Sequence, residues 1–251
     1  MNLSNINQEN VFVKSVIGNV RTKQEDHCGM AETPNGNVFV VCDGVGGNVG
    51  GAMAASIAVE AITEFLDNDK YDNVPQAIND AIQYANQRIL SYVSANHGFD
   101  GMATTVCVLL LQENIAFIAH VGDSRIYKLS YHIKQLTEDH TFVNREVKRG
   151  TMTAEQAKTD PRRNALTQCI GVSGDITPEI KFGTIESGTN YLICSDGFRH
   201  VITEEEIFDG LSPKRITTKS SMQARIRELI ETVKNRKESD NISAVMFRAE
   251  Y

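Results

Sequence analysis

Four aspartates stand where apolar runs stop or start. Asp43 follows "FVVC", Asp123 follows "IAHVG", Asp196 follows "YLICS", and Asp240 precedes "NISAVMF". Asp26 lies in the turn-like "RTKQED". Asp-Gly is an ordinary turn pair, so any one of these residues alone reads as a cap or a turn. As a set they read differently. Strand ends on one edge of a sheet converge, and carboxylates meeting there repel unless a cation sits among them. Hard oxygen donors of this kind suit magnesium, manganese or calcium rather than zinc. The glycines after Asp43, in "VFVVCDGVGGNVGG" (38–51), raise the alternative of a phosphate held by backbone N–H groups. A phosphate loop needs GxxxxGK[ST], which these glycines do not complete, and GxGxxG fits only in a shifted frame. There is no EF-hand spacing and no HExxH, and the six histidines show no evident ligand pair.

The elements that must position these carboxylates follow from pattern. Runs 10–18, 37–42, 104–111, 114–120, 124–129, 191–195 and 241–247 are rich in β-branched and aromatic residues and predict strands. The turn-like "QEN" and "GDS" within 104–136 predict antiparallel hairpins in a meander of four strands. Helices are predicted at 52–67 (Met53, Ile57, Ala61, Phe65), 75–94 (Ile78, Ile82, Ala85, Ile89, Val93) and 220–235 (Met222, Ile226, Ile230, Val233). Each of these stripes reads as core. Strand blocks with helices between them predict an α+β layered fold, and the lack of strict βαβ alternation argues against a parallel sheet.

Composition bounds the function. The chain has 251 residues, 41% hydrophobic and 23% charged, which suits one domain over 1–251 with a sizeable core. The longest apolar runs are too short to span a bilayer. The N-terminus has neither a basic start nor a long apolar block, so a cytoplasmic protein is the default expectation. The net charge of −7 argues against a general nucleic-acid binder. It also means that any phosphate site must draw positive charge from arginines or bound metal. Cys28, Cys42, Cys107, Cys169 and Cys194 form no CxxC pair and are read as packing residues.

Taken in order, "RTKQED" (21–26), "VVCDGVGG" (40–47), "GMATTV" (101–106), "AHVGDSRIY" (119–127), "LTEDHT" (136–141), "PRRNALTQCIG" (161–171), "LICSDGF" (192–198) and "SDNIS" (239–243) resemble the metal-dependent protein Ser/Thr phosphatases of the PPM (type 2C) family, in its bacterial branch. The resemblance covers residues from about 10 to 248. It implies a four-layer α-β-β-α sandwich, two antiparallel β-sheets flanked by helices, with the active site at one end. It implies hydrolysis of phosphoserine and phosphothreonine by direct attack of a water bridging two magnesium or manganese ions, with no phosphoenzyme. By position, Asp43 would bridge the two ions, Asp196 and Asp240 would hold one, and the Gly44 carbonyl the other. Glu25 and Asp26 would bind waters around them, Asp123 with Asp196 would form a weaker third site, and Arg21 would grip the phosphate. Residues 139–170 match the flap, a mobile segment beside the site.

Within the flap, Arg145, Lys148, Arg149, Arg162 and Arg163 form a basic cluster that reads as a solvated helix face or as a dock for an acidic or phosphorylated substrate loop, with Arg162 and Arg163 the substrate-binding candidates. Gln24 stands where the family has asparagine, and His200 where it has aspartate. Asn48 and Val45 stand where relatives carry a histidine, which removes the expected proton donor from that loop. The implied partners are phosphorylated proteins and a cognate bacterial-type Ser/Thr kinase. A monomer is expected, with no nucleic acid or membrane partner. A phosphatase dedicated to one phosphoprotein in partner switching, and a non-catalytic module of the same fold, are the competing readings.

Overall fold

The computed structural model describes residues 10–45, 50–172 and 176–249. Two five-stranded sheets form its centre. One runs in the order β1 (Val11–Val16), β12 (Ile242–Arg248), β11 (Asn190–Cys194), β8 (Arg125–Leu129), β9 (Ile133–Gln135). The other runs β10 (Glu179–Thr184), β7 (Ile115–Val121), β6 (Val106–Gln112), β3 (Gly36–Cys42), β2 (His27–Thr33). Every pairing is antiparallel. A short ribbon of β4 (Gly44–Val45) and β5 (Ala103–Thr104) continues one end of the second sheet.

Alternation along the central strands builds three layers of core. Val38, Val40 and Cys42 of β3 and Val106, Val108 and Leu110 of β6 face α1 (Gly50–Asn68) and α2 (Val74–Ala95). Their neighbours Phe39, Val41, Cys107 and Leu109 face the other sheet, where they meet Ile126, Ile193, Val245 and Phe247. The outer face of that sheet packs Leu192, Cys194 and Met246 against α5 (Asp196–Arg199), α6 (Glu204–Leu211) and α7 (Lys219–Asn235). A strand covered on both faces reads as a continuous apolar run, which is why "VFVVC" and "VCVLLL" show no alternation of polarity. The result is the expected α-β-β-α sandwich. The long helices start where their signals predict: Asn73 accepts from the Gln76 N–H ahead of Pro75, and Thr218 closes a capping box on α7. Cys42, Cys107 and Cys194 are buried free thiols.

One expectation fails. β6 and β7 form a hairpin, and so do β8 and β9, but β7 and β8 lie in different sheets. The "GDS" segment is therefore a crossover between sheets and no hairpin turn. Gly122 makes the bend with φ +108°, and a Cβ there would meet Thr105 Cγ2 at 2.6 Å. The chain then passes through Asp123 at the seam. Several shorter elements also lack a prediction: the edge strands β2 and β10, the two-residue β4, the helices α5 and α6 and, beside the site, α3 (Phe142–Lys148) and α4 (Ala154–Thr159).

Candidate active site

Strand register brings the acidic residues to one end of the sandwich. Val16 pairs Ile242, Cys194 pairs both Ala244 and Arg125, Val41 pairs Cys107, and Val106 pairs Val121. The residues just beyond these positions are the turn 17–26, Asp43, Thr105, Asp123, Asp196 and Asp240. A cleft of about 590 Å³ opens there, lined by Arg21, Glu25, Asp43, Gly44, Asp123, Asp196 and Asp240. Asp26 lies below it, 5% exposed. All the residues expected at the core of the site are thus together. Val45, one of the two positions lacking the histidine, lines the cleft, and Asn48 lies outside the described residues.

Among the described glycines of this loop, Gly44 serves close approach of backbone. A Cβ on Gly44 would meet the Gly51 carbonyl oxygen at 2.4 Å and the Glu25 carbonyl oxygen at 2.6 Å. Bare backbone lets β4, the start of α1 and the Glu25 turn close on one another.

Polar side chains that the sequence reading did not single out hold the carboxylates in place. The Asp43 N–H donates to Thr105 Oγ1 at 3.0 Å, and Thr104 Oγ1 donates to the Asp43 carbonyl at 2.9 Å. Ser195 Oγ donates to Asp26 Oδ2 at 2.8 Å and accepts from the Ser243 N–H at 3.0 Å. Asn241 clamps the 17–25 turn: its Oδ1 accepts from the Glu25 N–H, and its Nδ2 donates to the carbonyls of Ile17 and Lys23. These residues sit inside the motifs "TTV", "ICSDG" and "SDNIS", beside the aspartates, and adjacency was their only signal.

The electrostatics are those of a cation site. Among the described residues, the buried oxygens Glu25 Oε1, Asp26 Oδ1 and Asp196 Oδ1 meet no hydrogen-bond donor. Burial, and then the charges of Asp26, Asp196, Asp123 and Asp240, hold the Asp43 carboxyl well above the usual range. Burial pushes Asp26 up to about 6, against hydrogen bonds from Ser243 and Ser195. Burial and Asp196 push Asp123 up to about 7, while Arg199 pulls the other way. Unsatisfied buried carboxylates at such spacing carry a demand for positive charge. An all-oxygen donor set fits a hard divalent ion.

Arg21 spans the mouth, donating to Asp240 Oδ2 at 2.9 Å and Glu25 Oε2 at 3.3 Å. His200, the departure beside Asp196, places Nε2 3.2 Å from Asp196 Oδ2 and Nδ1 3.6 Å from Glu238 Oε2. Burial lowers its pKa, but Glu238 and Asp196 outweigh that and raise it overall. Gln24 donates to Ser15 Oγ through a short contact, while its own Oε1 is buried with no donor among the described residues.

The flap segment carries α3 and α4. Its base is closed by bridges between Thr141 and Leu166 and between Thr104 and Ile170. Of the two arginines expected to meet substrate, Arg162 is occupied locally: it pairs with Asp160 at 2.9 Å and lies 4.0 Å from the Phe142 ring centroid. Arg163 instead lines a neighbouring cavity of about 540 Å³ together with Lys158, Asn164 and Asp123. Arg145, Lys148 and Arg149 form ion pairs with Glu146 and Glu138.

Comparison with known proteins identifies the family. Residues 19–246 match the family profile described as Protein phosphatase 2C. The protein phosphatase PhpP of Streptococcus pneumoniae is 32% identical over 239 residues, covering 92% of this chain and 93% of that one. The solved serine/threonine phosphatase Stp1 of Staphylococcus aureus superposes with a TM-score of 0.88 at 28% identity, over 100% of this chain and 98% of that one. A solved catalytic domain of the phosphatase PstP, in complex with two manganese ions, superposes with a TM-score of 0.82 at 25% identity, over 96% of this chain and 98% of that one. With the profile match and the PhpP alignment both spanning nearly the whole sequence, the chain belongs to the protein phosphatase 2C family of metal-dependent serine/threonine phosphatases.

Proposed function

We propose that this chain removes phosphate from phosphoserine and phosphothreonine in proteins by direct attack of water, with Asp43, Asp196, Asp240 and the Gly44 carbonyl holding two divalent ions. The observation that carries this reading is the floor of the cleft, where unpartnered carboxylate oxygens converge. Magnesium or manganese bound there would lower the pKa of a water and clamp the phosphoryl oxygens, a role that two ions about 4 Å apart fill in other phosphatases.

The chain's own residues do the rest. Glu25 and Asp26 orient water from the lower wall, Asp26 being held in place by Ser195. Arg21 is forked across Asp240 and Glu25 at the mouth. If Asp240 serves as an ion ligand, the Arg21 guanidinium would be free to meet phosphate oxygens as a bidentate donor. Cys169 also lines the cleft, but burial raises its thiol pKa. It stays protonated and is a poor nucleophile. This supports water over a side chain as the attacking group, and trapping a covalent phosphoenzyme would contradict it.

The substrates are phosphoproteins of the cytosol, and the reaction opposes a bacterial-type Ser/Thr kinase. No helix among the described residues is long and apolar enough to cross a membrane. Arg163, which lines the cavity beside the cleft, would meet an acidic residue flanking the phosphorylated one. The test is phosphate release from a phosphothreonine peptide with and without manganese. Wild type is active only with the metal, and Asp196→Ala falls to background. Release without metal, or release that survives Asp196→Ala, overturns the reading.

A further inference from the structure

The acidic cleft has two unlike walls. On the Asp43 side, the neighbours that perturb the carboxyl most are other carboxylates, and the guanidinium paired with Asp240, Arg21, sits 44% exposed at the mouth. On the Asp123 side, a nearly buried guanidinium is already in place. Arg199 ends α5, three residues after Asp196, so one helical turn returns it to the same end of the sandwich. Its Nη2 donates to the Asp123 carbonyl at 2.9 Å and lies 3.7 Å from Asp123 Oδ2. Both side chains are nearly closed to solvent, 12% exposed for Arg199 and 8% for Asp123.

The seat of this arginine is built. Asp139 stands 3.5 Å from the same Nη2. Asp139 is itself gripped by Arg125, Nε to Oδ1 at 2.8 Å and Nη2 to Oδ2 at 2.7 Å. Among the described residues, Arg199 Nε is buried without an acceptor. The guanidinium is therefore held by charge on one side only, between two carboxylates. A guanidinium is always protonated, so its charge does not depend on conditions.

We propose that Arg199 is a built-in cation of the acidic cluster, occupying the Asp123 wall so that divalent ions are confined to the Asp43, Asp196 and Asp240 side. This rests on the metal-binding reading above. A divalent ion placed at Asp123 would lie beside a fixed like charge in a poorly solvated pocket, where repulsion is strong. Asp123, which the family resemblance assigns to a third ion, is here the counter-ion of a side chain.

The test is manganese stoichiometry, read as free Mn²⁺ by electron paramagnetic resonance during titration and checked by calorimetry. Wild type is expected to bind two ions. Arg199→Met is expected to bind one more, and Arg199→Met/Asp123→Asn to lose that extra ion. Arg199→Lys, which keeps the charge, stays at two. Arg199→Gln keeps a donor for the Asp123 carbonyl without charge and is expected to match Arg199→Met. It decides the matter if the methionine variant does not fold. Three ions in wild type, or no gain in both neutral variants, overturns the proposal and leaves Arg199 a structural hydrogen-bond donor. Failure of wild type to bind any manganese would instead sink the parent reading.

Discussion

Asp43 and Asp139 are carboxylates set against the same end of the sandwich, and their surroundings have opposite signs. Asp139 is gripped by Arg125 and touched by Arg199. Burial alone would raise its pKa, but the two arginines outweigh it and hold the carboxyl below the ordinary value. Asp43 is surrounded by Asp26, Asp196, Asp123 and Asp240, and burial and those charges raise it. Both residues sit in motifs of the same apparent weight, "LTEDHT" and "CDGVGG". The lesson is that a buried aspartate with its own arginine is part of the frame, whereas one among its own kind is a site awaiting charge.

The largest break in this contrast is Asp43→Asn. Turnover of a phosphothreonine peptide should fall by on the order of 10²–10³-fold or more, as expected when a principal source of transition-state charge stabilisation is removed. The same change should raise the melting temperature of the metal-free protein, measured in EDTA, because it relieves repulsion among buried carboxylates. A drop in that melting temperature would contradict the picture of an unsatisfied cluster.

Arg125→Met should act in the opposite sense on stability. It leaves Asp139 with the longer contact from Arg199 as its one cationic partner beside the Gln135 amide, and removing one partner of a buried pair costs about 3 kcal/mol. Urea unfolding in EDTA reads this directly. An unchanged midpoint would mean that Asp139 is solvated and that the comparison with Asp43 is false.

The smallest effect belongs to a region outside both. His120 and His140 stack with ring centroids 4.6 Å apart at the base of the flap, beside Glu179. One nitrogen of each ring is engaged, His120 Nε2 lying 2.6 Å from the Glu138 carbonyl and His140 Nδ1 accepting from the Gly122 N–H at 3.2 Å, so the fold makes a histidine pair that sequence spacing did not suggest. Burial, then His120, pushes His140 down to about 4 from an ordinary 6.5. The unfolded chain therefore takes up this proton first. The contribution of His140 to stability is complete above about pH 6.5 and is lost as pH falls towards 4. Asp26 works the other way. Its folded value of about 6 lies above the ordinary 3.8, so its contribution is present at low pH and lost as pH rises through 6. The difference in unfolding free energy between wild type and His140→Asn, measured against pH in EDTA, isolates the histidine. A flat difference between pH 6.5 and 4 would show that the ring is solvated.

Much of the frame was legible because burial on both faces leaves long apolar runs, and long helices repeat their stripe several times. Met222, Ile226, Ile230 and Val233 are all buried, as their spacing requires. The edge strands β2 and β10 escaped because each has one open side and a mixed composition, with Met30 and Phe182 exposed. The short helices of the flap are only seven and six residues long, too few for a period to repeat. The "GDS" crossover escaped because a turn between sheets and a turn within one use the same residues.

By itself the sequence determined the strand-end carboxylates and hence the chemistry: acidic residue types at sheet ends leave hard cations as the natural counter-charge. It also carried the order of motifs that marks the family. Only the tertiary structure decided which carboxylates are free. Asp123 and Asp139 meet Arg199 across 76 and 60 residues of chain, and Asp139 meets Arg125 across 14. No local pattern announces those encounters. An ion pair depends on distance in space, which sequence spacing beyond a helical turn or a hairpin does not encode.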